Sequence, residues 1–473
     1  MRPLTLPETI SAIGGRLYGE LQIPRITAVA TDSRVLPKEC LFFALPGEQF
    51  DGHDFVEQAL ESGAVAAVVS RMESVPQRFH RAGRLILVPD TLVALGRLAG
   101  WYRRQFAAQV IAVVGSNGKT TTKDMIGCIL GAARRGRAAR ASFNNAVGVP
   151  LTLLDVEPAD EFVVVEIGTN HPGEVAALGR LANPDMVVVT SIGQEHLEFL
   201  GDLAGVAREE FSILTCLQGR GFVAVHHAAA EHAPSKTRES VAMMTFGFSD
   251  AADLRATDLV ATSTGYQFKV NGRWPYSLSV LGRHNVANAL AAVAIANRFR
   301  LAPEEIARGL SKVKLPPMRL QRERFGELTL INDAYNANPS SVRTALAVID
   351  EMPASGRRVV ILGDMRELGD HADECHLQIG RDAGRSTVGV IIAVGSHAPL
   401  IRDGAIATAG TAKRIYAFPT YEALAEKIGD LLTPTDTVLI KASRAVRLER
   451  LVEVLRRQAA SRKPSRLAPA AGA

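Results

Sequence analysis

Short unbroken apolar runs recur along this chain, and between them lie stretches whose apolar residues return at helical spacing. The runs include Cys40-Leu-Phe-Phe-Ala-Leu45, Ala64-Val-Ala-Ala-Val-Val69, Val110-Ile-Ala-Val-Val114, Phe162-Val-Val-Val-Glu-Ile167, Met186-Val-Val-Val-Thr190 and Gly221-Phe-Val-Ala-Val225. A run apolar on both faces is a strand covered on both sides, and such strands alternating with helices build a parallel, doubly wound sheet. Residues 55–62 read as a helix, and 91–106 as an amphipathic one leading into the Val110 strand. Between 253 and 280 the pattern turns to alternation with turn signals at Ser263-Thr-Gly265 and Asn271-Gly272, which predicts an antiparallel β insertion. Past a break at Lys314-Leu-Pro-Pro-Met318, strands are expected at 328–331, 358–362, 388–394 and 436–440. The rhythm predicts an α/β protein in three domains: a small one at 1–90, a central doubly wound one at 91–315, and a second α/β set at 316–458. Residues 459–473, Ala, Pro, Arg and Ser without periodicity, are expected to form a disordered tail.

Composition narrows the function. A length of 473 residues suits about three domains, and 47% apolar content is ample for several cores. The net charge of +5 is modest and carries no nucleic-acid role. The densest basic run, residues 134–140, lacks aromatics for base stacking and reads as a solvated helix end and turn. Cys40, Cys128, Cys216 and Cys375 stand far apart with no CxxC, which fits a reducing compartment without a zinc site or disulfide framework. No apolar run reaches membrane-spanning length, and no signal-peptide core follows Met1. A cytoplasmic monomer without nucleic-acid or membrane partners is expected.

Residues 115–122 read Gly-Ser-Asn-Gly-Lys-Thr-Thr-Thr directly after the Val110 run. Strand, glycine turn, then a helix starting at the lysine is the layout of a phosphate-binding loop, here in the short GxxGKT form because Val113 replaces the outer glycine. Gly115 and Gly118 let the backbone take positive φ and turn its N–H groups toward one anion, and the helix N-terminus adds partial positive charge. Lys119 can bridge β- and γ-phosphates, and the Thr120 hydroxyl can ligate Mg²⁺. In open α/β sheets ligands gather at the carboxyl ends of strands. Glu166 closes one such strand and His196 lies just past another. A carboxylate inside an apolar strand needs a compensating cation, which Mg²⁺ would supply; an internal salt bridge is the alternative for Glu166, and a hydrogen-bonded loop residue for His196. Asn285 and Asn288 share a helix face, where they either read a base edge or cap the helix. Three polar clusters end strands of the third domain: Asp333-Ala-Tyr-Asn-Ala-Asn-Pro-Ser-Ser341, Leu362-Gly-Asp-Met-Arg-Glu-Leu-Gly369 and Lys441-Ala-Ser-Arg444.

Together these segments resemble the ATP-dependent Mur ligases of peptidoglycan synthesis. The likeness runs from Thr31-Asp-Ser-Arg34 and Gly47-Glu-Gln-Phe-Asp-Gly-His-Asp-Phe55 to Lys441-Ala-Ser-Arg444. Its specific parts are Phe143-Asn-Asn-Ala-Val-Gly-Val-Pro-Leu-Thr-Leu153, Glu166-Ile-Gly-Thr-Asn-His-Pro-Gly-Glu174 and Tyr335-Asn-Ala-Asn-Pro339. The resemblance implies an N-terminal domain for the UDP end, a central ATPase, and a Rossmann-like third domain that closes over ATP. It implies ATP and Mg²⁺ as cofactors, with UDP-N-acetylmuramoyl-tripeptide and D-alanyl-D-alanine as substrates. Gly115, Ser116, Asn117, Gly118, Lys119, Thr120 and Thr121 would cradle ATP phosphates, and Thr120, Glu166 and His196 would hold the metal. His284, Asn285 and Asn288 would meet the base region, Arg319 the phosphates and Asp333 the ribose. Asp32, Ser33 and Arg34 would contact uridine, Asn144 and Asn145 the muramoyl peptide, and Asn336, Asn338, Lys441 and Arg444 the incoming dipeptide. Where the family carries a lysine that becomes carbamylated, this chain has Glu210, with Ser212 in place of a glutamate. Glu210 is then either a permanent carboxylate doing the carbamate's work or the mark of a lost site. Ala334 and Ala442 also depart from the family pattern. A folylpolyglutamate synthetase is disfavoured by Thr120-Thr-Thr122 and by the 31–55 segment, and only Glu210 supports a nucleotide-binding subunit without catalysis.

Overall fold

The computed structural model describes residues 1–19, 25–80, 84–217, 221–234 and 241–461, arranged around three sheets. The first has the spatial order Arg16–Tyr18, Leu85–Leu87, Ala66–Val69, Cys40–Phe43, Ala28–Ala30, parallel except at Arg16–Tyr18. The second has nine strands, and Gln109–Val114 is third from one edge, flanked by Met186–Val189 and Phe162–Glu166. The third runs Gln321–Phe325, Leu328–Asn332, Thr437–Lys441, Arg358–Gly363, Val390–Val394, Arg414–Phe418, parallel except at its first strand. The chain passes from the second sheet's last helix, Pro303–Leu310, to the third sheet at Gln321.

Why the central strands are apolar on both sides is plain from the packing. Val110, Ala112 and Val114 face one core, while Ile111 and Val113 face another, as a period of two requires. The second core is closed by the helices Lys119–Gly131 and Arg283–Arg298. The first core continues without a break from the central sheet, through Leu95 and Leu98 of the helix Thr91–Arg103, to Leu41, Phe43 and Ile86 of the first sheet. The third sheet has cores of its own. One of them receives Leu197 and Leu200 from the central unit, each almost fully buried. Each such leucine contributes on the order of 2 kcal/mol.

The alternating segment is antiparallel as expected: Leu254–Ala261, Tyr266–Val270 and Trp274–Leu278 form a meander. It is no separate insertion, however. An unforeseen strand, Ala242–Gly247, pairs in parallel with Phe222–His226 on one side and Leu254–Ala261 on the other, so the meander extends the main sheet. That strand's outer half is partly exposed, which hid it. The basic run at 134–140 also needs correction. Helix Lys119–Gly131 ends before it, and Gly136–Ala138 is the edge strand of the second sheet. Its arginines are ion-paired, Arg137 with Asp160 at 2.7 Å, Arg135 with Glu157, and Arg140 with Asp155 at 2.9 Å. Charged side chains suit an edge that must not pair further. Finally, the helix Arg450–Ser461 covers the first three residues of the expected tail; the rest of that tail lies outside the described residues.

Candidate active site

Gly115 and Gly118, at φ +118° and +84°, shape the phosphate loop. A Cβ on Gly115 would lie 2.5 Å from Thr190 Oγ1, and one on Gly118 would lie 2.7 Å from Asn288 Oδ1, so only glycine fits either position. The buried Asn288 donates from Nδ2 to Asn285 Oδ1 at 3.0 Å, and Asn285 donates to the Leu281 carbonyl at 2.6 Å. This amide pair braces the loop from the helix Arg283–Arg298. On the other side Ser116 exchanges hydrogen bonds with Gly193, and the Asn117 N–H donates to Ser191 Oγ at 2.9 Å.

The loop borders a cavity of about 700 Å³ whose lining includes 116–121, Asn144, Asn145, Glu166, Glu195, His196, His284, Asn285 and Asn288. The third unit adds Arg319, Asp333, Tyr335, Asn336, Asn338 and Lys441. Lys119 Nζ donates to the Gly115 carbonyl at 2.5 Å and stands 3.8 Å from Glu195 Oε2. Burial works to lower its pKa, but Glu195, Glu210 and Glu166 outweigh that and raise it, so the lysine is firmly charged. Glu166 Oε1 accepts from Thr120 Oγ1 at 3.1 Å and from Asn144 Nδ2 at 3.0 Å. Glu210 lies beneath the loop rather than on the cavity wall, with Oε2 accepting the Gly115 N–H at 2.7 Å. Burial, with Glu195 alongside, pushes its carboxyl up to about 8.

Three acidic side chains crowd the two local cations, Lys119 and Arg319, and burial keeps one of them, Glu210, mostly protonated at pH 7. Each leaves one buried oxygen without a partner: Glu166 Oε2, Glu195 Oε1 and Glu210 Oε1. Buried, unpaired hard oxygens beside a threonine hydroxyl are a donor set that suits Mg²⁺, so the residues fit that ion.

The opposite wall is tied to the loop through polar contacts. Arg319 lies 4.2 Å over the Tyr335 ring and donates to Thr120 Oγ1 at 3.0 Å. Asn338 caps the helix Pro339–Glu351 and donates to Asn117 Oδ1 at 3.2 Å, while Asn117 Nδ2 donates to Ser340 Oγ at 2.7 Å. Lys441 Nζ donates to Asp333 Oδ2 at 2.6 Å and to the Asn336 carbonyl at 3.0 Å. Burial between the units, with Lys441 adding and Asp333 opposing, depresses His284 to about 4, so its ring is neutral at pH 7. His196 shares a 2.5 Å hydrogen bond with Glu367 of the third unit, which holds that carboxyl below its usual range.

Some expected residues stand elsewhere. Asp32 and Arg34 form an exposed 2.7 Å ion pair on the first unit, which holds Asp32 down at about 2, and Ser33 donates to Gln58; none of the three lines the cavity. Arg444 is exposed, 3.2 Å from Glu449, and is likewise outside the lining. Asn145 accepts from the Val147 and Gly148 N–H groups at the start of the helix Gly148–Leu154. Sequence pattern singles out neither Glu195, which stands beside His196 in a polar loop, nor Glu367, which is one residue within a strand-end cluster. Nor does it single out Lys123, which is buried and donates to the Ala139 and Ala141 carbonyls, each at 2.7 Å, fixing the approach to Ser142 and Asn144.

A phosphate loop on a central parallel sheet, facing a third α/β unit across a metal-ready cavity, defines a nucleotide-dependent ligase architecture. The matches agree: residues 25–103 fit the model "Mur ligase family, catalytic domain", 113–296 the "Mur ligase middle domain" and 318–444 the "Mur ligase, glutamate ligase domain". The chain belongs to the Mur ligase family. It is 35% identical to the UDP-N-acetylmuramoyl-tripeptide--D-alanyl-D-alanine ligase of Bacillus subtilis (strain 168), over 95% of this chain and 98% of that one. It is 37% identical to the ligase of the same name from Escherichia coli (strain K12), over 94% and 98%. Among solved structures, MurF from Acinetobacter baumannii superposes with a TM-score of 0.87 at 31% identity, covering 97% of this chain and 99% of that one.

Proposed function

We propose that this chain joins D-alanyl-D-alanine to UDP-N-acetylmuramoyl-tripeptide, converting ATP to ADP and phosphate. The observation that carries the reading is the loop lysine, Lys119, set among three buried carboxylates in a cavity roofed by a separate unit. End-to-end similarity to ligases of that name supports the choice of substrates.

The chemistry follows from the parts. A carboxylate is a poor electrophile, so the tripeptide's terminal carboxylate oxygen first attacks the γ-phosphorus, breaking its bond to ADP. The dipeptide amine then attacks the acyl carbon, and phosphate leaves. Both steps bring anions together, so the protein's share is positioning and charge neutralisation. Gly115, Ser116, Asn117, Gly118, Thr120 and Thr121 wrap the phosphates with N–H groups and hydroxyls. Lys119 and Arg319 place positive charge on either side of the transferring group. His284 is neutral and sits by the Asp333–Lys441 pair, where it offers a hydrogen bond to the nucleoside without a charge penalty. Thr120, Glu166 and His196 would hold Mg²⁺, and Glu210, whose proton a nearby cation would displace, would then add negative charge from beneath. When bound, the ion would offset charge on the phosphate oxygens. Asp32, Ser33 and Arg34 serve the uridine end, Asn144 and Asn145 the muramoyl peptide, and Asn336, Asn338, Lys441 and Arg444 the dipeptide. Closure of the third unit excludes water, which would otherwise hydrolyse the acyl phosphate.

ADP release is the test. It should require both UDP-N-acetylmuramoyl-tripeptide and D-alanyl-D-alanine. Efficient ligation of D-Glu, L-Lys or meso-diaminopimelate, with the dipeptide inert, would overturn the assignment of the amine.

A further inference from the structure

We propose that Glu367 is a positioning residue that acts across the boundary between units: it orients His196 so that Nε2 faces the acidic pocket beside the phosphate loop. The inference rests on the reading that His196 faces a divalent cation. The ring lies between carboxylates from two different units. Its Nδ1 is 2.5 Å from Glu367 Oε2 on the third unit, and its Nε2 is 3.7 Å from Glu195 Oε2 on the central one. An ionised carboxylate can only accept, so Nδ1 carries the proton, and in the neutral ring the Nε2 lone pair is left pointing inward. A histidine whose outer nitrogen is held by a carboxylate is a better and better-aimed metal ligand than a free one.

Glu367 is itself held in place. Its backbone is left-handed at φ +62°, and its carbonyl accepts the Glu198 N–H at 3.3 Å. Two residues on, Gly369 at φ +52° leaves a Cβ position only 3.0 Å from Glu198 Cα, so this segment and the His196 segment meet backbone to backbone. Upstream, the Met365 N–H donates to His376 Nε2 at 2.9 Å, and the Arg366 N–H to Ser443 Oγ at 2.9 Å. Asp364 is fastened by Ser396 and by the His397 N–H. Asp364, His376 and His397 cluster closely enough to suggest a cation site of their own. Yet His376 uses Nδ1 on the Ala372 carbonyl and Nε2 on the Met365 N–H, so it has no lone pair to give. That cluster braces the loop that presents Glu367. Because Glu367 and His196 stand on different units, their contact exists only when the third unit is seated.

The side chain of Glu367 is 40% exposed, so its replacement leaves the fold intact. Mn²⁺ binding to the full chain in the presence of ADP, read by electron paramagnetic resonance, is the direct measurement. Glu367→Ala should weaken Mn²⁺ affinity about 10–100-fold, the usual effect of removing a partner that orients a metal-binding histidine. The Mg²⁺ concentration for half-maximal activity should rise in parallel, while kcat at saturating Mg²⁺ stays near wild type. Glu367→Gln, whose amide oxygen still accepts from Nδ1, should recover most of the affinity. Unchanged Mn²⁺ affinity in Glu367→Ala would overturn the proposal, whatever happens to activity. Equal losses in the Ala and Gln variants would also overturn it, because bulk charge rather than ring orientation would then be responsible. A wild-type chain that takes up no Mn²⁺ with ADP would remove the metal reading of His196, and the role of Glu367 with it.

Discussion

The first and third units join the central one in different ways. Leu41, Phe43 and Ile86 of the first share one apolar core with Leu95, Leu98 and the central strands. The third keeps its own cores and meets the centre mainly through polar contacts: Arg319 with Thr120, Asn338 and Ser340 with Asn117, Glu367 with His196, and Tyr266 with Glu351. Its apolar anchor is smaller: Leu197, Leu200 and Val206, with Ile192 and Leu281 packed against them, enter one of the third unit's cores. A shared core cannot open without exposing apolar surface, whereas polar contacts can exchange for water at little net free energy. The first junction suits a unit that need not move, and the second suits one that must admit nucleotide and then close.

The largest effect should come from the rigid side. Lys119→Ala is expected to lower kcat by about 10³-fold, in the range for losing a main charge stabiliser. Binding of the UDP substrate should largely survive, since its uridine end is proposed to lie on the first unit. Arg319→Ala, on the polar-junction side, should cost about 10–100-fold and fall mostly on KM for ATP, because the arginine reaches the loop from the third unit. ADP release at near wild-type rate in Lys119→Ala would remove the loop from the mechanism. Next comes the shared core: Leu98→Ala should destabilise the protein by about 2–5 kcal/mol in denaturant unfolding. If Leu98→Ala melted the first unit alone and left the central one intact, the two would not form one cooperative block.

How much of this was legible in the chain depends on the reach of each interaction. The phosphate loop, the buried strands and the strand-end clusters are local patterns, so their residues announced themselves. Glu166 could be singled out because a carboxylate in Val-Val-Val-Glu contradicts its surroundings. Glu195 had no such contrast, flanked by glutamine and histidine in a polar loop. Glu367 gains its meaning from a residue 171 positions away, and no spacing rule reports that. Ala242–Gly247 escaped because its Ala-Met-Met opening has no β-branched or aromatic residue to mark a strand. The arginines of 134–140 looked like a solvated turn because their partners, Asp155, Glu157 and Asp160, lie beyond the next helix.

Glu210 offers a smaller effect with a distinctive sign. Burial raises its folded carboxyl to about 8 against an ordinary 4.5. Between those values the folded state binds a proton that the unfolded state does not, so this residue's contribution to stability declines as pH rises through that window. Glu210→Gln keeps an acceptor for the Gly115 N–H and removes the charge. Without divalent ions it should therefore be more stable at pH 8, by about 1 kcal/mol or 2–4 °C in Tm, while activity falls. The wild type should be indifferent to removal of bicarbonate, since a glutamate needs no carbamylation. A Tm unchanged by Glu210→Gln at pH 8 would show that the carboxyl is not strained by its site.

The smallest expected change tests the polar junction at a point remote from the chemistry. Tyr266 on the central meander donates to Glu351 Oε2, on the helix Pro339–Glu351, at 2.7 Å, and burial with that carboxylate pushes its phenol pKa up. Tyr266→Phe keeps the ring's packing and deletes this one bond, which should cost about 0.5–1.5 kcal/mol of docking free energy. The loss should appear as a modest rise in KM for ATP with kcat little changed, because the cavity residues are untouched and only the seated population shrinks. Amide exchange should quicken in the third unit near the contact, while the helix Thr91–Arg103 at the shared core keeps its protection. Equal quickening at both junctions would mean that the third unit is held as firmly as the first, and the contrast between the two would fail.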